Sequence, residues 1–457
     1  MAWYHEPMKL MTRLERLTGD TKTEGAATPS AIGYRAEEIR ALRERVDALL
    51  SRRPGEKGKD DPPSGRGRGV PLEELVTGTE VSNDAGLFFC SRRLAGGSHH
   101  HGTRCIGDIT DLDTGRLAVL ANDPVLRGLD YRRALFLDTE TTGLAGGTGT
   151  VAFLIGLGWF EGSGFVTEQL FARDYAEEKA TLLHLQSRLR GRAFLVSFNG
   201  KAFDATLLAT RFVMNRLPNP LTGLPHLDLL HPARRLLSHR LADRRLGALE
   251  AAVLGFEREG DIPGSEIPQR YFDWLRRRDG RLMADVFEHN RLDILSLAAL
   301  AAHLTELIDP AAEEAGFNRG DRLAAARLFL ARECHFEAVR LLGPLSGCAC
   351  PKTAREAARE LSLLHKRQGR WPEAVAIWEE MVQRDGEDRF ALVELAKWCE
   401  HRRRDFDRAL ALTICAASCA GRLSPQEHAD FTRRRERLEK KITAGPAAAS
   451  RSEPHSA

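Results

Sequence analysis

Four carboxylates and one histidine hold the chemistry open to this chain. Asp138 and Glu140 stand two positions apart at the end of the apolar run Ala134-Leu135-Phe136-Leu137. Side chains of a strand alternate between its faces, so both carboxylates project from one face, roughly 7 Å apart. Charges held that close call for cations, although an isolated D-x-E at a strand end is usually just solvated. Asp204 follows after another 64 positions, in the first turn of a helical pattern where capping alone would also account for it. His289 and Asp293 are i and i+4 and share one helix face, about 6 Å apart along the axis. Seen alone, that pair reads as a local hydrogen bond. Carboxylates suit hard cations such as Mg²⁺ or Mn²⁺, which take oxygen ligands and keep waters; Cys and His clusters would point to zinc. An imidazole titrates near neutrality and can accept a proton from water.

Several elements must carry these groups. Ala134–Leu137 predicts a buried strand, and Val151–Trp159 is β-branched and aromatic enough to be the next one. Ala193–Phe198 predicts a second short apolar strand, followed by the loop Asn199-Gly200-Lys201 and a helix marked by Leu207, Leu208 and Phe212. A further helix runs through Val286, Leu297 and Leu300, which supply core contacts beside His289 and Asp293. The loop from Gly143 to Thr150 is glycine-rich, but neither Gly-Lys-Ser/Thr nor a G-x-G-x-x-G helix follows, so it is no phosphate-binding loop of those types. It reads as a tight turn that lets backbone pass close to the acids.

The order strand with D-x-E, strand with loop and Asp, then helix with His and Asp resembles the DEDD exonucleases of the ribonuclease-H-like superfamily, relatives of the polymerase proofreading subunit. The resemblance implies an α/β domain, a mixed central sheet flanked by helices. It implies Asp138, Glu140, Asp204 and Asp293 as ligands of two divalent ions, Mg²⁺ or Mn²⁺, with His289 as general base. Phosphodiester hydrolysis fits that set, because paired metals serve both the attacking water and the departing oxyanion. One departure stands out: the spacing His-x3-Asp occupies the register of the tyrosine subgroup, whereas the histidine subgroup spaces base and acid as H-x4-D. A closer resemblance rests on Gly143–Thr150, Phe198-Asn199-Gly200, His226-Leu227-Asp228-Leu229-Leu230 and Asp261-Ile262-Pro263-Gly264. Together these resemble YprB-type bacterial proteins, over about Val70 to Ala420. This second resemblance carries fold and site; the exonuclease resemblance implies 3′-to-5′ action, and a compact four-carboxylate site acts on a frayed terminus, so a single-stranded end of RNA or DNA is the expected substrate. A structure-specific endonuclease and an inactive nuclease-fold adaptor are the alternatives. Asp228 and Glu178 are further acids expected to support structure.

The net charge of +3 offers no global polycation. Candidate nucleic-acid contacts are therefore local: Asn199 and Lys201 before Asp204, and Arg240, Arg244 and Arg245 in a basic amphipathic stretch. Arg276, Arg277, Arg278 and Arg281 form a second basic cluster, beside Tyr271, Phe272 and Trp274, whose expected fate is core.

A chain of 457 residues with 42% hydrophobic content exceeds one typical domain. Residues 1–69 read as a helix (Ala36–Leu50) and a Pro-, Gly- and charge-rich disordered linker, and 70–130 as a small β-rich lead-in. The nuclease-like domain is expected over 131–308. Ala338, Ala374 and Ala409 recur at separations of 36 and 35 in similar settings, which resembles degenerate tetratricopeptide repeats and gives an all-α domain over 319–442 that could frame substrate or bind a protein. A disordered tail, 443–457, completes the reading. His99-His100-His101 sits among glycines and reads as a flexible loop, and Cys348 and Cys350 as structural. Eight cysteines without paired C-x-x-C motifs, no apolar leader and no membrane-length apolar run predict a soluble cytoplasmic protein.

Overall fold

The computed structural model describes residues 69–113, 115–143, 149–312, 316–419, 421 and 423–444. The Ala36–Leu50 helix, nearly all of the linker, most of the glycine-rich loop and the tail beyond 444 lie outside the described residues.

The chain lays down β1 (Thr79–Asn83), β2 (Gly86–Ala95), a small hairpin of β3 (His100–His101) and β4 (Arg104–Cys105), and helix α1 (Arg116–Ala121). Then come β5 (Ala134–Thr141), β6 (Ala152–Glu161), β7 (Gly164–Phe171), α2 (Glu178–Leu189), β8 (Phe194–Ser197), α3 (Asp204–Met214), β9 (His226–Asp228), α4 (Leu230–Leu237), α5 (Ile267–Arg277) and the long α6 (Arg281–Leu307). Seven strands form one sheet in the order β1-β2-β7-β6-β5-β8-β9. β5 pairs antiparallel with β6 and parallel with β8, which makes the sheet mixed.

β5 is apolar on both faces because both are covered. Ala134 and Phe136 join a core with Ile294, Leu295, Leu297 and Ala298 of α6. Leu135 and Leu137 point the other way, into a core with Leu182 and Leu185 of α2 and Leu207, Leu208 and Phe212 of α3. The strand therefore lies between α6 on one side and α2 with α3 on the other, and the alternation continues into its acidic end.

The 70–130 segment does not stand apart. Its β2 pairs along β7 from Phe89↔Phe171 to Ala95↔Phe165, so β1 and β2 extend the central sheet. The expectation of a flexible loop at the three histidines is corrected: His100 and His101 form a strand, and His101 is buried, hydrogen-bonded through Nε2 to Ser296 Oγ at 2.7 Å and packed against Phe256 in a tilted ring pair with centres 4.0 Å apart.

After residue 316 the described chain is helical: α7 (Arg319–Ala331), α8 (His335–Ser346), α9 (Pro351–Arg367), α10 (Trp371–Arg384), α11 (Arg389–Trp398), α12 (Phe406–Ser418) and α13 (Pro425–Thr443). Consecutive helices pack on one another, and Ala338, Ala374 and Ala409 are fully buried. The apolar core runs across the boundary expected between 308 and 319, since Leu323, Phe329, Leu341 and Leu361 share one cluster with Leu236 and Leu304. Among the described residues no helix is long and apolar enough to cross a membrane.

Candidate metal centre

Because β5 alternates, Asp138 and Glu140 continue the Phe136 face toward α6, while Thr139 continues the Leu137 face toward α3. The register between β5 and β6 shifts between Glu140 and Thr141, so regular pairing gives way where the carboxylates stand. α6 brings His289 and Asp293 over the first pair. Ligand atoms of Glu140, His289 and Asp293 all lie within 4.8 Å of one another, a spacing that one metal ion could bridge. Asp204 arrives from the opposite side as the first residue of α3, and its Oδ1 accepts from Thr139 Oγ1 at 2.5 Å.

The turn that delivers Asp204 is tightly built. Asp228, at the end of β9, accepts from the backbone amides of Asn199 (2.8 Å), Lys201 (3.1 Å) and Leu230 (3.1 Å). Asn199 adopts the left-handed region with φ 64°. A Cβ at Gly200 would lie 2.3 Å from Ser197 Oγ and 3.1 Å from Asp204 Oδ2, so only glycine permits this approach. Glu178 supports the far end of α3 by pairing with Arg211 (Nε to Oε1, 2.5 Å) and Asn215 (2.9 Å).

The electrostatics are those of acids crowded together without enough positive charge. Burial pushes the Asp138 carboxyl well above its ordinary range, and the charges of Asp293, Glu140 and Asp204 push it further. Glu140 is raised by burial and by Asp293 and Asp204, with Arg258 pulling the other way. Burial lifts Asp204 to about 6, offset in part by the Thr139 hydrogen bond. Such a cluster is the environment that a divalent cation relieves, and its oxygen-dominated donor set fits a hard divalent ion.

Five further residues complete the setting, and sequence reasoning did not single them out for it. Asn290, fully buried, donates from Nδ2 to Asp138 Oδ2 at 2.8 Å and is itself held by Gln169, whose Nε2 donates to Asn290 Oδ1 at 3.0 Å. Asp261 Oδ1 lies 2.7 Å from His289 Nδ1, and Arg258 pairs with Asp293, with Asp261 at 3.2 Å and with buried Glu250 at 2.5 Å. The Asp261-Ile262-Pro263-Gly264 motif was the available signal for the Asp261 pairing.

The candidate nucleic-acid contacts separate. Asn199 and Lys201 are exposed beside Asp204. Arg244 is partly buried, with its Nε on Leu241 O at 3.3 Å, and Arg245 is exposed and paired with Asp243 at 2.6 Å. Arg240 is a correction: its Nε and a terminal nitrogen grip the two oxygens of buried Asp321, each at 2.8 Å, tying the segment after α4 to α7, so its guanidinium is committed within the fold. Tyr271 and Trp274 are buried in core, with Tyr271 stacked on Phe153 at 4.0 Å.

A mixed sheet with the acidic end of its central strand facing a long helix and a second helix N-terminus is the ribonuclease-H-like nuclease fold. Residues 135–305 match the protein family described as RNase_H superfamily. The chain is 32% identical over 353 residues to the uncharacterized protein YprB of Bacillus subtilis (strain 168), across 76% of this chain and 84% of YprB. The chain belongs to this YprB family of ribonuclease-H-like proteins.

Proposed function

We propose that this chain is a divalent-metal-dependent nuclease that hydrolyses phosphodiester bonds at the 3′ end of a single-stranded nucleic acid, in the DEDD manner. The observation that carries the reading is the convergence of Glu140, His289 and Asp293, from a strand and a helix 149 or more positions apart, within 4.8 Å. Asp138, Glu140, Asp204 and Asp293 would hold two Mg²⁺ or Mn²⁺ ions. Such ions supply a water acidic enough to attack at neutral pH and neutralise the oxyanion that departs.

The chain's own groups account for the rest. Asp261 fixes His289 through Nδ1 and turns Nε2 toward Asp293, 3.5 Å from its Oδ2, where it can take a proton from an attacking water. Thr139 and Asn290 steer one oxygen each of Asp204 and Asp138 and leave the other oxygen of each for a ligand. The exposed Asn199 and Lys201 beside Asp204 are placed to meet a phosphate backbone. A second reading, in which His289 is itself a ligand, draws on the same 4.8 Å grouping. The helices after residue 319 are, in this proposal, tetratricopeptide-like and frame the substrate or a protein partner. The eight free thiols support a reducing, cytoplasmic setting.

Asp138→Ala and Asp204→Ala should each abolish Mg²⁺- or Mn²⁺-dependent degradation of an end-labelled oligonucleotide while the fold survives. A ladder shortening one nucleotide at a time marks terminal trimming; discrete internal products mark an endonuclease. Undiminished degradation by both variants would overturn the assignment.

A further inference from the structure

Two carboxylates of the centre each touch the same pair of partners. Asp293 gives Oδ1 to the Arg258 guanidinium and has Oδ2 3.5 Å from His289 Nε2. Asp261 gives Oδ2 to Arg258 at 3.2 Å and Oδ1 to His289 Nδ1 at 2.7 Å. The imidazole is thus held between two acids whose remaining oxygens are both held by one guanidinium. Arg258 is only 8% exposed, and the buried Glu250 anchors its other edge through Nε at 2.7 Å.

The loop that carries it is fixed from outside the centre. Thr103 N donates to Leu254 O at 2.7 Å, a Cβ at Gly102 would lie 2.1 Å from that same oxygen, and the Phe256 ring packs against the His101 ring. Gly255 takes a left-handed turn with φ 62° between them. The β3–β4 hairpin therefore seats the chain two positions before Arg258, and the guanidinium has little freedom to leave.

We propose that Arg258 is a positioning residue and the resident counter-cation of the acid cluster: it orients Asp293 and Asp261 on His289, and it holds the affinity for a divalent ion below what the acids alone would give. Charge arithmetic carries the second half. Arg258 binds an oxygen of Asp293 directly, and its charge acts on Glu140. A guanidinium about 5 Å from a divalent ion opposes its binding by about tenfold or more, even with water-like screening. Moderate affinity combined with a preset base suits a centre that must exchange ions and products between turnovers.

This inference rests on the nuclease reading, and one titration separates the two. Isothermal titration of Mn²⁺ into the full chain should show Arg258→Gln binding the ion about tenfold more tightly than wild type, with Arg258→Lys close to wild type. At saturating Mn²⁺ the same Arg258→Gln protein should degrade oligonucleotide more slowly, because Asp261 and Asp293 no longer hold His289 between them. A purely structural arginine would lower thermal stability and leave the Mn²⁺ affinity where it was. If Arg258→Gln fails to fold, Arg258→Gln with Glu250→Gln, which also removes the buried Glu250 charge, gives the same measurement. Affinity unchanged or weakened in the folded variant overturns the inference alone. A wild-type chain that binds no Mn²⁺ overturns the nuclease reading and the inference with it.

Discussion

Replacing Asn290 by alanine removes the side-chain amide that donates to Asp138 at 2.8 Å and deletes nothing that the proposal places on the metal. A hydrogen bond to a charged acceptor is worth about 1.5–3 kcal/mol. Its loss lifts an already raised Asp138 carboxyl further, because a bond that favours the charged form is gone. A ligand carboxylate must lose its proton to bind metal. The apparent Mn²⁺ affinity at neutral pH should therefore fall about 10- to 100-fold, in line with what removal of a ligand's supporting hydrogen bond costs elsewhere. The pH dependence identifies the cause: if the defect is a retained proton, titration at pH 8.5 should recover much of the affinity lost at pH 7. Gly156→Ala offers an independent route to the same defect, because its Cβ would lie 2.3 Å from Asn290 Oδ1 and 2.7 Å from Nδ2 and must displace the amide. Equal Mn²⁺ affinity in wild type and Asn290→Ala, or a loss that higher pH leaves untouched, would refute the reasoning.

Two further outcomes follow from the charges. In metal-free protein Asp138, Glu140 and Asp204 have folded pKa values above their unfolded ones, so the stability they contribute is present below about pH 4 and is lost as pH rises through the folded values; for Asp204, raised to about 6, that loss is about 3 kcal/mol. Saturating Mg²⁺ should accordingly raise the melting temperature more at pH 8 than at pH 5, and an equal or smaller rise at pH 8 in calorimetry would contradict it. In the helical array, burial tends to raise buried Glu400, but hydrogen bonds from Arg437 (2.8 Å) and Lys441 (3.0 Å) hold it down to about 2. A depressed carboxyl stabilises above its unfolded pKa of about 4.3 and loses that contribution as pH falls toward 2. Glu400→Gln should cost about 1–3 kcal/mol at pH 7, since both cations retain solvent access, and the gap to wild type in urea denaturation should narrow below pH 4.

What the sequence made legible was whatever has a period. The run Ala134–Leu137 with its D-x-E announced a strand with two acids on one face, and the i, i+4 spacing of His289 and Asp293 announced a shared helix face. The pairing of Arg258 with Asp293 joins a loop to a helix 35 positions away and leaves no periodic trace. Asn290 sits beside His289 and looks like any polar residue on a helix, yet it is fully buried. Arg240 misled because an arginine in a basic stretch looks the same whether it faces solvent or grips buried Asp321. The three histidines misled for a related reason: flanking glycines suggested mobility, whereas Gly102 is there because its neighbour Leu254 O leaves no room for a side chain.

Two glycines in β6 show how the centre depends on backbone proximity as well as on its acids. The register pairs Phe136 with Gly158 and Asp138 with Gly156, so both glycines are the cross-strand partners of the β5 residues that face α6. A Cβ at Gly158 would meet Ile294 Cγ2 at 2.5 Å, and one at Gly156 would meet Asn290. Alternate glycines in a central strand weaken it unless something lies close above; here α6 does. With no side chain opposite Asp138, Asn290 reaches across β6 to its carboxylate, and the same descent of the helix carries His289 and Asp293 toward Glu140. The spacing of the acids is thus set by how near a helix can come to a sheet. A methyl group at position 156 should therefore disturb the centre while all four carboxylates remain in the chain.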